Sequence, residues 1–165
     1  MGDNIIYILD STAFLEKYSD AFMDKACATS YGVLDEMKEP YAKIRFDMLQ
    51  RAGLSVLAAG DDSLKSVGDK VKITGDKLSD TDISVIALAL DFISKGKKVV
   101  IVTDDYGIQN VAKSLGVKFM PVSQKGISRS LVWGRRCTAC GKETSEEICP
   151  VCGSETKFVS KAKKS

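Results

Sequence analysis

Residues 98–122 read KVVIVTDDYGIQNVAKSLGVKFMPV, and this stretch decides the fold. KVVIV is an unbroken run of mostly β-branched residues, the pattern of a strand buried on both faces. Asp104 and Asp105 interrupt it, YGIQNVAKSLG follows as a helix, and VKFMPV is again a strand. Two short strands separated by a helix are the unit of a parallel sheet, because a parallel pair needs a crossover to bring the chain back.

The same alternation continues outward. IIYIL at 5–9 is a buried strand, and a helix begins over Thr12–Tyr18. ACAT at 26–29 is a second strand, followed by helical sequence through VLDEM at 33–37. Beyond Pro40, YAKIRFDMLQRAG continues as helix with Ile44, Met48 and Leu49 apolar, and Leu54–Leu57 is a third strand. Residues 60–78, rich in Gly, Asp and Lys, are expected to form a loop or irregular excursion. Ile83, Ile86, Ala87, Leu90 and Ile93 then recur at helical spacing until Gly96 stops the pattern. The prediction is an α/β domain over 1–120, a parallel sheet flanked by helices. Behind it come a linker at 121–134, a small module at 135–158 and a basic, disordered tail at 159–165.

That small module is defined by cysteine spacing. Cys137, Cys140, Cys149 and Cys152 form CTAC and CPVC, each closed by a glycine, Gly141 or Gly153. Two CxxC pairs in a short polar segment are the spacing of a zinc ribbon, whose turns aim four thiolates at one ion about 2.3 Å away. With all four ligands supplied by protein, the zinc is structural. The fifth cysteine, Cys27, sits in the apolar stretch KACAT and reads as a small core residue.

Composition narrows the chemistry. Hydrophobic residues make up 44% and charged residues 28%, and no apolar run approaches the roughly 20 residues of a membrane span. MGDNIIYILD opens with an acid and a first strand, unlike a secretion signal, so a cytoplasmic protein without membrane contact is expected. The net charge of +2 conceals a mildly acidic front and a basic tail: residues 121–165 hold nine Lys and Arg against four Glu. There is no histidine, which removes the commonest general base and every His-dependent triad. Any enzyme here works with carboxylates, lysine, thiols or metal.

Carboxylates recur where such a sheet places its ligand crevice. Asp10 ends the first strand, Asp104 and Asp105 end KVVIV, Asp82 lies in the first turn of the ISVIALAL helix, and Glu36 interrupts Val33, Leu34 and Met37. Acids converging without counter-cations repel one another, whereas one or two divalent cations hold them ionised, which suggests magnesium or manganese. Ordinary structural roles also account for each. Asp82 stands three residues after Ser79, a capping box; Asp10, Asp104 and Asp105 suit strand-to-helix turns; and Asp35 and Glu39 flank Glu36 as alternatives.

In order, YILDSTAF at 7–14, VLDEM at 33–37, LSDTDISVIALAL at 78–90 and IVTDDYGIQNVA at 101–112 resemble the PIN-domain ribonucleases. The resemblance implies a parallel sheet with an acidic Mg²⁺ or Mn²⁺ pocket that cleaves single-stranded RNA. Block by block, it implies Asp10, Glu36, Asp82 and either Asp104 or Asp105 as the catalytic acids, with Asp10, Asp82 and one of the last pair on the metal. TDDYGIQN followed by a CxxC and CPxC ribbon is similar to the branch of that family that matures the 3′ end of small-subunit ribosomal RNA. Precursor rRNA and the pre-ribosomal particle are then the expected partners of a protein monomeric when free. Arg135, Arg136, Lys142 and Lys157 around the knuckles are the expected RNA contacts. A toxin-type ribonuclease of the same family, or an RNA-binding assembly factor without catalysis, are the competing readings.

Overall fold

The computed structural model describes residues 4–15, 17–122 and 131–162. Strand β1 (Ile5–Leu9) lies at the centre of a parallel sheet, with β2 (Cys27–Ser30) on one side and β4 (Lys98–Val102) on the other. Strands β3 (Ser55–Leu57) and β5 (Lys118–Met120) complete the order β3-β2-β1-β4-β5. The register sets Ile8 beside Ile101 and Leu9 beside Val102, and all four are buried in the core.

Six helices connect these strands: α1 (Thr12–Leu15), α2 (Tyr31–Glu36), α3 (Pro40–Arg51), α4 (Asp61–Thr74), α5 (Asp80–Ser94) and α6 (Tyr106–Ser114). Helix α5 is the most apolar and supplies Val85, Ile86, Ala87, Leu88 and Ala89 to the interior, so it is buried on more than one face. Predicted bounds hold to within a few residues for the strands. The first helix is shorter than Thr12–Tyr18: α1 stops at Leu15 and a 3-10 turn occupies Lys17–Phe22.

The segment after β3 also departs from expectation. Most of the 60–78 segment, expected to be irregular, is the four-turn helix α4. Its Leu64, Val67 and Val71 fall at helical spacing and pack on the core, with Val67 wholly buried, while Asp and Lys cover the outer face. Asp61 and Asp62 suit the positive N-terminus, and Gly75 ends the helix in the left-handed conformation at φ 74°. Three apolar contacts among so many charges give too faint a period to read from composition.

The C-terminal unit is a three-stranded antiparallel sheet of β6 (Leu131–Cys137), β7 (Glu143–Thr144) and β8 (Thr156–Ala162), in the order β7-β6-β8. It is longer than the expected 135–158. Residues 131–134, assigned to the linker, and 159–162, assigned to a disordered tail, are each other's partners, from Leu131 opposite Ala162 to Cys137 opposite Thr156. Each end is ordered by the other, which neither composition reveals. The expected mobile segment QKGISRS at 124–130 and residues 163–165 lie outside the described residues.

Candidate active site

The chain leaves β1 toward β2 and β3, then returns to the far side of β1 to lay down β4 and β5. The crevice beyond the carboxyl ends of β1 and β4 is therefore a topological switch point, where open parallel sheets bind ligands. Asp10 follows β1 and Thr103–Asp105 follow β4, so the topology alone brings both acidic segments to one place.

Asp10 is the centre of the site. It is only 3% exposed, and its Oδ2 accepts a 2.7 Å hydrogen bond from Thr103 Oγ1. Burial pushes its carboxyl up to about 6; the Thr103 bond and the Ser11 backbone resist the shift, and the charges of Asp82 and Asp105 add to it. Asp82 is likewise raised, first by burial, with Asp105 and Glu36 contributing repulsion. These mutual effects place Asp10, Asp82, Asp105 and Glu36 in one electrostatic neighbourhood. Among the described residues, no hydrogen bond or ion pair from a cationic side chain reaches Asp10 or Asp82, and the donors to them include the Thr103 hydroxyl and the Ser79 backbone N–H.

Asp82 has a structural role of its own. Its carboxylate accepts from Ser79 N at 2.8 Å while Ser79 Oγ accepts from Asp82 N at 3.1 Å, a complete capping box at the start of α5. The cap fixes the carboxylate's direction. Glu36 closes α2 and is exposed, whereas Glu39 is engaged as the cap of α3, accepting from Tyr41 N and Ala42 N. Among the three candidates in that segment, Glu36 is the one whose charge reaches Asp82.

The paired aspartates make different contacts. Asp105 caps α6, accepting from Ile108 N at 2.9 Å, and its charge bears on both Asp10 and Asp82. The carboxylate of Asp104 instead accepts from Val122 N at 2.6 Å, and its own N donates to Thr12 Oγ1. Asp104 thus ties the end of β5 to the turn after β1. One oxygen of its carboxylate is thereby engaged by backbone, whereas the charge of Asp105 bears on both Asp10 and Asp82.

In the ribbon, the ligand atoms of Cys137, Cys140, Cys149 and Cys152 all lie within 4.8 Å of one another, and none is in a disulfide. Cys137 Sγ is 3.4 Å from Cys152 Sγ, and Cys140 Sγ is 3.7 Å from Cys149 Sγ. Four sulfurs at 2.3 Å from a tetrahedral ion are about 3.8 Å apart, so the cluster fits zinc. Gly141 and Gly153, both at φ 74°, turn the chain back after each pair. Among the ribbon residues whose burial is described, only Cys137 and Cys149 are buried, so the four-cysteine cluster stands where an apolar core would and could tie this unit together through a metal.

The family model described as PIN domain of ribonuclease matches residues 7–92. Endoribonuclease Nob1 of Archaeoglobus fulgidus is 41% identical over 91% of this chain and 88% of its own length. The chain belongs to the PIN-domain ribonucleases, in their Nob1 branch. Endoribonuclease Nob1 of Pyrococcus abyssi is 32% identical over 96% of both chains. Ribonuclease VapC1 of Thermoplasma acidophilum is 33% identical over 93% of this chain and 77% of its own.

The PIN domain has supporting residues that the sequence reading missed. Thr103 donates to Asp10 and accepts from Asp105 N at 3.0 Å, joining the two acids through one hydroxyl. Buried Gln109 holds the same turn by donating to Thr103 O at 2.9 Å. A Cβ at Gly107 would stand 3.0 Å from Asp105 Oδ1 and 2.8 Å from Leu78, so glycine there leaves the carboxylate its position. All three lie in the TDDYGIQN block, but only the tertiary contacts show which acid each supports.

Two of the expected RNA contacts are engaged inside the ribbon. Arg135 bonds Thr156 and Glu147, and Arg136 bonds Glu143 at 3.3 Å. Lys142 and Lys157 are exposed.

Proposed function

We propose that this PIN-domain protein is a divalent-metal-dependent endoribonuclease that cuts precursor small-subunit ribosomal RNA at its 3′ end. The observation that carries the reading is the acidic group itself: Asp10 buried at the switch point, raised to about 6 by burial, and surrounded by Asp82, Asp105 and Glu36. A set of hard carboxylate oxygens, with no cationic side chain bonded to Asp10 or Asp82 among the described residues, suits Mg²⁺ or Mn²⁺. The similarity to two proteins named Endoribonuclease Nob1 across nearly the whole chain supports the choice of RNA.

In this reading Asp10, Asp82 and Asp105 would hold the cation, with Glu36 at the edge. When bound, the ion supplies charge neutralisation at the scissile phosphate and a lowered pKa for the attacking water. The chain's own contribution is orientation. Thr103 fixes one oxygen of Asp10, the Ser79 box fixes Asp82, and the α6 cap fixes Asp105, so the acids are placed before substrate arrives. Hydrolysis by water leaves a 5′-phosphate and a 3′-hydroxyl. The ribbon holds structural zinc, and its exposed Lys142 and Lys157, with Arg136, grip phosphates of the pre-ribosomal particle.

The test is an RNA spanning the mature 3′ end of small-subunit rRNA, incubated with the zinc-loaded protein, with and without Mn²⁺, beside Asp10→Asn. Metal-dependent cutting at that junction, absent from the variant, is expected. The likeness to a VapC ribonuclease supports a second reading, a toxin-type enzyme, for which cutting would be scattered along cellular RNAs. Tight binding without cutting under either metal would mean a non-catalytic assembly factor.

A further inference from the structure

A cavity of about 470 Å³ opens between the PIN domain and the ribbon. Gly75, Asp76 and Lys77, beyond α4, form one wall, with Asp76 accepting from Asn110 Nδ2 at 2.7 Å; the start of α6 with Asp105 and Tyr106 is a second, and Trp133 of β6 with Phe158 of β8 the third. Asp105 therefore belongs to both this cavity and the acidic group. The walls come from both units, and neither encloses the space alone.

Three aromatic rings from distant parts of the sequence meet here with much of their surface uncovered: Tyr106 is 51% exposed, Phe158 45% and Trp133 36%. Two cations attend them. Lys77 Nζ lies 4.6 Å from the Phe158 ring centroid and the Arg135 guanidinium 4.3 Å from the same centroid. Arg135 has Glu147 as a partner, whereas Lys77 makes no ion pair among the described residues. The units are held close by backbone as well: a Cβ on Gly75 would strike the carbonyl oxygen of Trp133.

We propose that this cleft seats an unpaired base of the RNA strand beside the scissile phosphate, stacked on Tyr106 and Trp133, with Lys77 on the adjoining phosphate. The inference rests on the acidic group being the cleavage centre. Flat rings accept any base through its π-face, a positive side chain at the rim meets the backbone, and the volume falls within the usual range for ligand sites. Continuity through Asp105 selects the occupant, because a strand whose phosphate lies at the acids has its neighbouring nucleotide at this opening. The ribbon then completes the substrate site in addition to any grip it exerts elsewhere.

Trp133 is the chain's single tryptophan, so its emission reports the cleft directly. Full-length, zinc-loaded Asp10→Asn protein is titrated with single-stranded oligoadenylate in buffer without Mg²⁺ or Mn²⁺, beside the same backbone made abasic. Saturable quenching by oligoadenylate, absent with the abasic strand, is expected. Tyr106→Ala should weaken it about tenfold to a hundredfold, as loss of one stacking surface does, and in active protein should raise KM far more than it lowers kcat. Equal quenching by the abasic strand, or an unchanged KM in Tyr106→Ala, overturns the base site even if wild-type cleavage stands. Base-dependent quenching in a protein that cuts no RNA under any metal would leave the cleft and remove the nuclease reading.

Discussion

Thr103 Oγ1 donates a 2.7 Å hydrogen bond to Asp10 Oδ2 across 93 positions of sequence. The bond joins the ends of neighbouring strands β1 and β4 and favours the ionised form of an acid that burial pushes toward neutrality. Thr103→Val keeps the shape and removes the donor. A loss of about 1–3 kcal/mol in unfolding free energy is expected, the usual effect on a buried bond to a charged group. Cleavage should also shift to higher pH, because Asp10 becomes harder to ionise. An unshifted pH–rate profile would count against Thr103 as a positioning residue.

Asp10→Asn should separate stability from activity. The folded protein keeps the Asp10 proton to about pH 6, whereas the unfolded chain releases it near 3.8. Between those values the folded state binds more protons, so this group's contribution to stability falls as pH rises from about 4 to 6 and is level above. At about 1.4 kcal/mol per pKa unit, the ionised side chain costs about 3 kcal/mol at pH 7 without a bound cation. Denaturant melts of zinc-loaded protein lacking Mg²⁺ and Mn²⁺ should show the variant more stable than wild type at pH 7, the gap closing toward pH 4. Cleavage should fall a hundredfold or more.

The two aspartates after β4 are separable by mutation. Asp105→Asn retains the α6 cap and should lose cleavage by about a hundredfold or more if Asp105 holds the metal. Asp104→Ala removes the acceptor for Val122 N and should lower stability by about 1 kcal/mol while cleavage changes only a few-fold. Single-turnover rates beside melting curves decide it, and the reverse pattern would exchange the two roles.

Zinc removal should unfold one unit alone. The sheet of β1–β5 has its own apolar core, whereas among the ribbon residues whose burial is described only Cys137 and Cys149 are buried. Cys149→Ser should therefore abolish bound zinc and the order of residues 131–162 while the parallel sheet melts within a few degrees of wild type. Amide exchange read segment by segment measures this, and uniform deprotection of both units would refute it.

Two glycines of the α4 region should respond oppositely. Gly68 lies within the helix with open space at its Cβ direction, so Gly68→Ala should stabilise by about 1 kcal/mol. Gly75 has φ 74° and meets the Trp133 carbonyl, so Gly75→Ala must strain the helix end or part the two units. A red shift of Trp133 emission in the second variant, and none in the first, is the expected result.

The sequence by itself determined the alternation of buried runs and helices, hence the parallel sheet, because runs such as KVVIV and the Ile83–Ile93 period carry their burial in local composition. It also determined the four-cysteine cluster, since a thiolate turn needs only a CxxC and a glycine. Tertiary structure alone decided which acids meet. Asp104 and Asp105 are chemically identical neighbours, and only Val122 N on one side and Asp10 with Asp82 on the other tell them apart. Helix α4 and the full length of β6 and β8 were hidden for the same reason: their order comes from partners far along the chain, and no local pattern encodes a distant partner.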